Sequence, residues 1–206
     1  MVAIFARLLT SLVLVLGLYT LLWLPLIIGQ AGAVGDQETA IGSETAPVTM
    51  IEYSSLTCPH CASFHIDTLP VLKERYIETG KLQLVLRDFP LDQRALDGAK
   101  VAHCAGPERY PAFIDVLFKS VDDWARADDH IAALKRIGRL GGLSPEEIDG
   151  CLNDPALEDR ILARQLEGQQ DYGVQSTPTF VINGEVVTGN RDPEEFAAII
   201  EDKLGN

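Results

Sequence analysis

Two hydrophobic patterns divide the chain. In residues 8–28, 16 of 21 positions are apolar, no charge follows until Asp36, and only Arg7 precedes the run. A basic residue ahead of a long apolar core marks an export signal, and Ala31-Gly32-Ala33 supplies the small residues a signal peptidase needs, so the mature chain would begin near Val34. Because 21 apolar-rich residues can also span a bilayer, an uncleaved anchor is the alternative reading of residues 1–33. Either way the remainder is expected outside the cytoplasm, in the periplasm.

Beyond this run the pattern is that of a soluble domain. Residues 48–54 (VTMIEYS) form a short apolar, β-branched strand that leads through Ser55-Leu56-Thr57 into Cys58-Pro59-His60-Cys61. Phe64, Leu69, Leu72 and Tyr76 then recur at helical spacing, with Pro70 as a predicted kink and Gly80 as the stop. Residues 82–89 (LQLVLRDF) form a second strand, giving the strand, helix, strand order of a parallel pair. From 91 to 173 the period is helical almost throughout, with helices predicted at 92–105, 108–120, 129–140, 145–152 and 155–172. Ser144-Pro145-Glu146-Glu147 is a capping box with proline at the first helical position. Strands at 179–182 and 185–188 flank Asn183-Gly184, a two-residue hairpin signal, and a last helix starts at Asp192-Pro193. The expected fold class is therefore α/β, with 34–90 and 174–206 forming one small layer interrupted by an all-helical insert at 91–173.

Charge narrows the function classes. The chain carries 17 Lys+Arg against 30 Asp+Glu, a net charge of −13, with no basic run, which argues against nucleic-acid binding. Loss of residues 1–33 would remove one cation, Arg7, and no acid, taking −13 to −14.

Export changes how the four cysteines are read, because disulfides persist in oxidising compartments. Cys58 and Cys61 lie three apart where a strand turns into a helix. Unpaired N–H groups and a positive dipole at that terminus favour thiolate. Cys58 is then the exposed nucleophile and Cys61 the resolving partner, with His60 adding a donor, and a positive charge when protonated. A structural disulfide and half of a zinc site are the competing readings, but zinc wants a second close pair and neither Cys104 nor Cys151 has one. Glu52, among apolar neighbours six residues before Cys58, is either a buried acid able to shuttle a proton for Cys61 or a strand-end glutamate reaching solvent.

Cys104 and Cys151 both fall among the helices. They read as a second disulfide tying two helices together, contributing on the order of 4 kcal/mol in the chain-entropy model, or as two small buried thiols. His65, one turn after Cys61, reads as a packing or surface residue, and His103 and His130 as isolated ones. No metal ligand set and no cofactor is indicated; Met1 and Met50 alone make a soft copper site unfavourable.

With Glu52, Cys58-Pro59-His60-Cys61, the inserted helical block and Thr177-Pro178, the sequence resembles the thioredoxin superfamily, and within it the DsbA-like thiol:disulfide oxidoreductases. The resemblance covers the chain from about residue 41 onward. It implies a thioredoxin fold with a helical insert and donation of a disulfide to reduced or unfolded exported proteins. It also implies reoxidation by a membrane quinone-linked partner of DsbB type. Thr177-Pro178 corresponds to the cis-proline loop facing the cysteines, with the Thr177 backbone pairing to an extended substrate. Many DsbA-type oxidases carry valine before this proline, whereas threonine also occurs in isomerase-type relatives. The resemblance therefore leaves isomerisation or reduction as an alternative to oxidation, and a metal-handling or chaperone-like module as a more distant one. No dedicated dimerisation segment is recognised, and a monomer is expected.

Overall fold

The computed structural model describes residues 39–205; the apolar run, Arg7, the Ala31-Gly32-Ala33 site and Val34 lie outside them. The central element is a five-stranded mixed sheet in the order β1-β3-β2-β4-β5, made of β1 (Thr39–Ile41), β2 (Val48–Ser54), β3 (Leu82–Asp88), β4 (Thr179–Ile182) and β5 (Glu185–Thr188). β2 and β3 run parallel, as a helical crossover demands, while β1, β4 and β5 are antiparallel to their neighbours. β1 is absent from the sequence-based reading because three edge residues offer no period to detect. The β4–β5 hairpin turns through Asn183 at φ 45° and Gly184 at φ 88°, both left-handed as the two-residue turn requires.

The crossover helix α1 (59–77) is continuous but not uniformly α-helical: Phe64–Thr68 and Lys73–Ile77 are π-helical. Pro70 has no N–H to give to the preceding turn. The chain accommodates it by widening that turn, with the Leu69 N–H reaching back five residues to the Phe64 carbonyl. The helix ends at Ile77, and Gly80, at φ 73°, turns the chain into β3.

Between β3 and β4 stand α2 (Gln93–Cys104), α3 (Tyr110–Lys119), α4 (Val121–Ala125), α5 (His130–Leu140), α6 (Pro145–Leu152) and α7 (Pro155–Tyr172); α8 (Pro193–Leu204) closes the chain. Short polar side chains start several of them: Asp92, Asp129 and Asp154 each accept a first-turn N–H, and Ser144 with Glu147 completes the expected capping box. The five-residue α4 is too short to show a period in the sequence, yet it carries the fully buried Trp124, whose Nε1–H donates to the Leu117 carbonyl at 2.9 Å.

Alternation along β2 assigns the sheet's two faces. Met50 and Glu52 point to the side where Phe64 of α1, Phe180 of β4 and Phe196 of α8 pack with centroid separations of 4.6–5.7 Å. Such aromatic pairs add about 0.5–1.5 kcal/mol each beyond area burial. Tyr53 points to the other face, where Phe89, Tyr172 and Val174 cover it. α7 approaches this face so closely that a Cβ at Gly168 would lie 2.5 Å from the Tyr53 ring. Helix propensity favours alanine over glycine by about 1 kcal/mol, but overpacking costs about 1–3 kcal/mol, and Tyr53 has no exposed side to retreat to. Gly168→Ala is expected to lower Tm; an unchanged or higher Tm in thermal unfolding would show that the ring moves aside.

Candidate active site

The loop between β2 and α1 is braced from both sides. Cys58 N–H donates to the Ser55 carbonyl (3.0 Å), and the Thr57 hydroxyl donates to Asp92, the residue that caps α2 (2.7 Å). Leu56 is buried against α2 and Trp124; even a Cβ at Gly98 would lie 3.0 Å from both the Leu56 and the Trp124 side chains. The helical block thus fixes the loop that ends in the cysteines.

Cys58 and Cys61 are both unbridged and nearly enclosed, with 6% and 0% of their surface exposed. Their chemistry nevertheless diverges. The Cys58 thiol is lowered to about 5, first because the Cys61 thiol donates a hydrogen bond to its sulfur; burial opposes this, and Thr177 and the backbone N–H groups of Cys61 and His60 assist. Burial pushes the Cys61 thiol far above the usual range, and its hydrogen bond to Cys58 and the Glu52 charge push in the same direction. One sulfur is therefore a thiolate at neutral pH and the other holds its proton. His60 is exposed, and its backbone N–H is one of the donors that lower Cys58.

Thr177-Pro178 is a cis peptide directly opposite Cys58. As a thiol, Cys58 donates to the Thr177 carbonyl at 3.3 Å. A thiolate has no proton for that bond. The Thr177 hydroxyl, buried and without a partner among the described residues, is the group that can donate in its place.

Glu52 lies beneath the cysteines with none of its surface exposed, which settles the choice between buried acid and strand-end residue. Its partner is His65, whose Nε2 is 3.1 and 3.0 Å from the two carboxylate oxygens. Sequence reasoning placed His65 as packing or surface; it is 3% exposed and bound to the buried acid. The available signal was its position one turn after Cys61 on a face otherwise occupied by Phe64 and Thr68. His103 and His130 are not isolated either. His103 Nε2 meets Asp88 at 2.7 Å, Tyr110 donates to the same carboxylate at 2.8 Å, and His130 meets Asp97 at 2.9 Å.

Cys104, at the end of α2, is disulfide-bonded to Cys151 in α6, a separation of 47 residues. This places the second pair among the helices, away from the loop. Among the described residues no group of three or more His, Cys, Asp or Glu gathers as a metal site would require, and no helix is long and apolar enough to cross a membrane.

A family model described as Thioredoxin matches residues 35–202. A protein of Rickettsia felis, provisionally named a protein-disulfide oxidoreductase, is 33% identical over 172 residues; the match covers 83% of this chain and 62% of that one, so the chain spans a little under two thirds of that relative. The crystal structure of α-DsbA1 from Wolbachia pipientis is 33% identical with a TM-score of 0.77, covering 82% of this chain and 92% of that one. The structure of oxidised BdbD from Bacillus subtilis, at 20% identity and a TM-score of 0.71 over 82% of this chain and 94% of that one, shares the fold. With its parallel β2–β3 crossover, its helical insertion and its paired cysteines facing a cis-proline, the chain belongs to the thioredoxin family, among its DsbA-like members.

Proposed function

We propose that the protein is an exported thiol:disulfide oxidase that donates the Cys58–Cys61 disulfide to reduced or unfolded substrate proteins. The observation that carries this reading is the opposite tuning of two neighbouring sulfurs: Cys58 near 5, and Cys61 far above the ordinary thiol. A substrate thiolate attacks the Cys58 sulfur. The Cys58–Cys61 bond breaks, and Cys61 departs with the electron pair and takes a proton. The second substrate thiol then loses its proton and attacks the substrate sulfur of the mixed disulfide, releasing Cys58 as a thiolate. The substrate loses two electrons and two protons; the enzyme gains the electrons, one proton rests on Cys61, and the other passes to solvent.

A stable Cys58 thiolate makes the reduced enzyme favourable and its disulfide oxidising. In this reading the Thr177 backbone receives the substrate as an added strand, and residues 91–173 form an inserted domain between the redox segments 34–90 and 174–206. A membrane quinone-linked partner of DsbB type takes electrons from the reduced pair, and the protein acts in the periplasm as a monomer.

Equilibration with glutathione tests the direction. The Cys58–Cys61 pair should be fully reduced at glutathione ratios that leave an ordinary structural disulfide intact; a pair more reducing than glutathione would overturn the reading. Threonine at 177 supports a second reading, isomerisation, which predicts that scrambled substrate is reshuffled faster than reduced substrate is oxidised.

A further inference from the structure

We infer that His65 is a positioning residue for disulfide exchange, holding Glu52 as the oriented carboxylate that accepts the proton of Cys61. The inference rests on the proposed roles of Cys58 and Cys61, and it follows from what surrounds the pair. When a reduced enzyme meets an oxidant, Cys58 becomes mixed-disulfide bonded, and Cys61 must lose its proton before its sulfur can attack Cys58 and expel the oxidant's thiolate. Cys61 is fully buried, so water is a poor base for this step. Glu52 is close enough for its charge to act on the Cys61 sulfur. Yet a carboxyl group removed from water and left without a donor is favoured in its acid form, in which it accepts nothing.

His65 supplies that donor. Its Nε2 lies 3.1 and 3.0 Å from the two Glu52 oxygens, so that the tautomer protonated there donates to them, and no other donor to this carboxylate occurs among the described residues. The ring cannot turn away, since it stacks on Phe118 of α3 (centroids 4.3 Å apart, planes at 27°) and meets Phe64 edge-on at 5.5 Å. The titratable groups facing the pair are Cys61 from α1 and Tyr110 from α3. Tyr110 stays a phenol, because burial and Asp88 push it well above its ordinary value, and its hydroxyl is committed to Asp88. Glu52 thus has one donor, His65, and one proton source, Cys61.

The test follows decay of the preformed Cys58–glutathione mixed disulfide, by acid quench and mass analysis from pH 5.5 to 9, in the full chain. His65→Met fills the space but donates nothing: resolution by Cys61 should slow at least tenfold at pH 7, with the rate rising to higher pH than in the natural protein. His65→Gln, whose amide N–H can reach the carboxylate, should recover to within threefold. Glu52→Gln should reproduce the methionine variant, and the Glu52→Gln/His65→Met double variant should be no slower than Glu52→Gln alone. The double variant removes both members of the buried pair; where His65→Met alone does not fold, His65→Gln takes its place, and a rate more than tenfold below the natural one at pH 7 in that variant would overturn the role of a neutral donor. A natural rate and pH profile in His65→Met, or a double variant slower than Glu52→Gln by the full single-variant factor, would overturn the inference. Alkylation of Cys58 between pH 5 and 7 should stay within twofold throughout. Absence of a low-pH Cys58 thiolate in the natural protein itself would instead sink the proposed function.

Discussion

Cys58→Ser is expected to abolish oxidation of a reduced, unfolded substrate, leaving only the background rate of air or glutathione. The reason is bond chemistry rather than shape. Serine is nearly isosteric, and its neighbours, the Ser55 carbonyl, Thr177 and the N–H groups of α1, remain in place. An oxygen, however, forms no disulfide with Cys61 and offers no thiolate at any working pH, so neither the mixed disulfide nor its release can occur. Cys61→Ser should behave differently. Cys58 keeps its backbone donors and Thr177, loses the thiol that contributes first to its low value, and can still form mixed disulfides that nothing resolves; an incubated substrate should therefore accumulate covalently attached through Cys58. Free thiols counted over time, with non-reducing gels for the adduct, separate the two variants. Undiminished oxidation by Cys58→Ser would remove the assignment of Cys58 as the exchanging sulfur.

How much of this was legible in the residues depended on whether a feature is local. Strands β2 and β3, the hairpin at Asn183-Gly184 and the capping box at Ser144 are encoded within a few residues of where they act, and they stand where the pattern puts them. The cysteine spacing likewise announces itself, because the chemistry needs both sulfurs on one turn. Contacts that depend on packing were not legible. His65 reads as a bland helical residue until β2 brings Glu52 beneath it, and Asp88, His103 and Tyr110 converge only once α2 and α3 fold back on β3. The same is true of the leading influence on Cys58. Its first cause is the Cys61 thiol, whose own proton is retained because the core has buried it, whereas the sequence pointed to the helix terminus and the His60 ring. In a chain of net charge −13 the thiolate depends on such short-range donors, since the overall field opposes it.

That short-range stabilisation should make the reduced protein lose stability relative to the oxidised protein as pH falls from 8 to 5. In the folded reduced state Cys58 ionises at about 5, against an ordinary value of 9.0. Between these values the unfolded chain holds one proton more than the folded one, so stability rises with pH by about 1.4 kcal/mol per unit. The contribution is fully present above the unfolded value and is lost as pH falls through about 5; over the whole window it amounts to something on the order of 5 kcal/mol. In the oxidised protein Cys58 has no proton to exchange, and the carboxylates and histidines common to both forms largely cancel in the comparison. Cys61, pushed up by burial, enters with the opposite sign, but only where an unfolded thiol ionises, so measurements at or below pH 8 isolate Cys58. Urea unfolding of both redox forms at pH 5 and pH 8 checks the result: the gap between them should shift by several kcal/mol in favour of the reduced form at the higher pH. By thermodynamic linkage the same shift makes the disulfide a stronger oxidant toward unfolded protein thiols at neutral pH than in acid. A gap that does not move with pH would mean that Cys58 is no more acidic in the folded protein than in the unfolded chain, and the driving force proposed for disulfide donation would have to come from elsewhere.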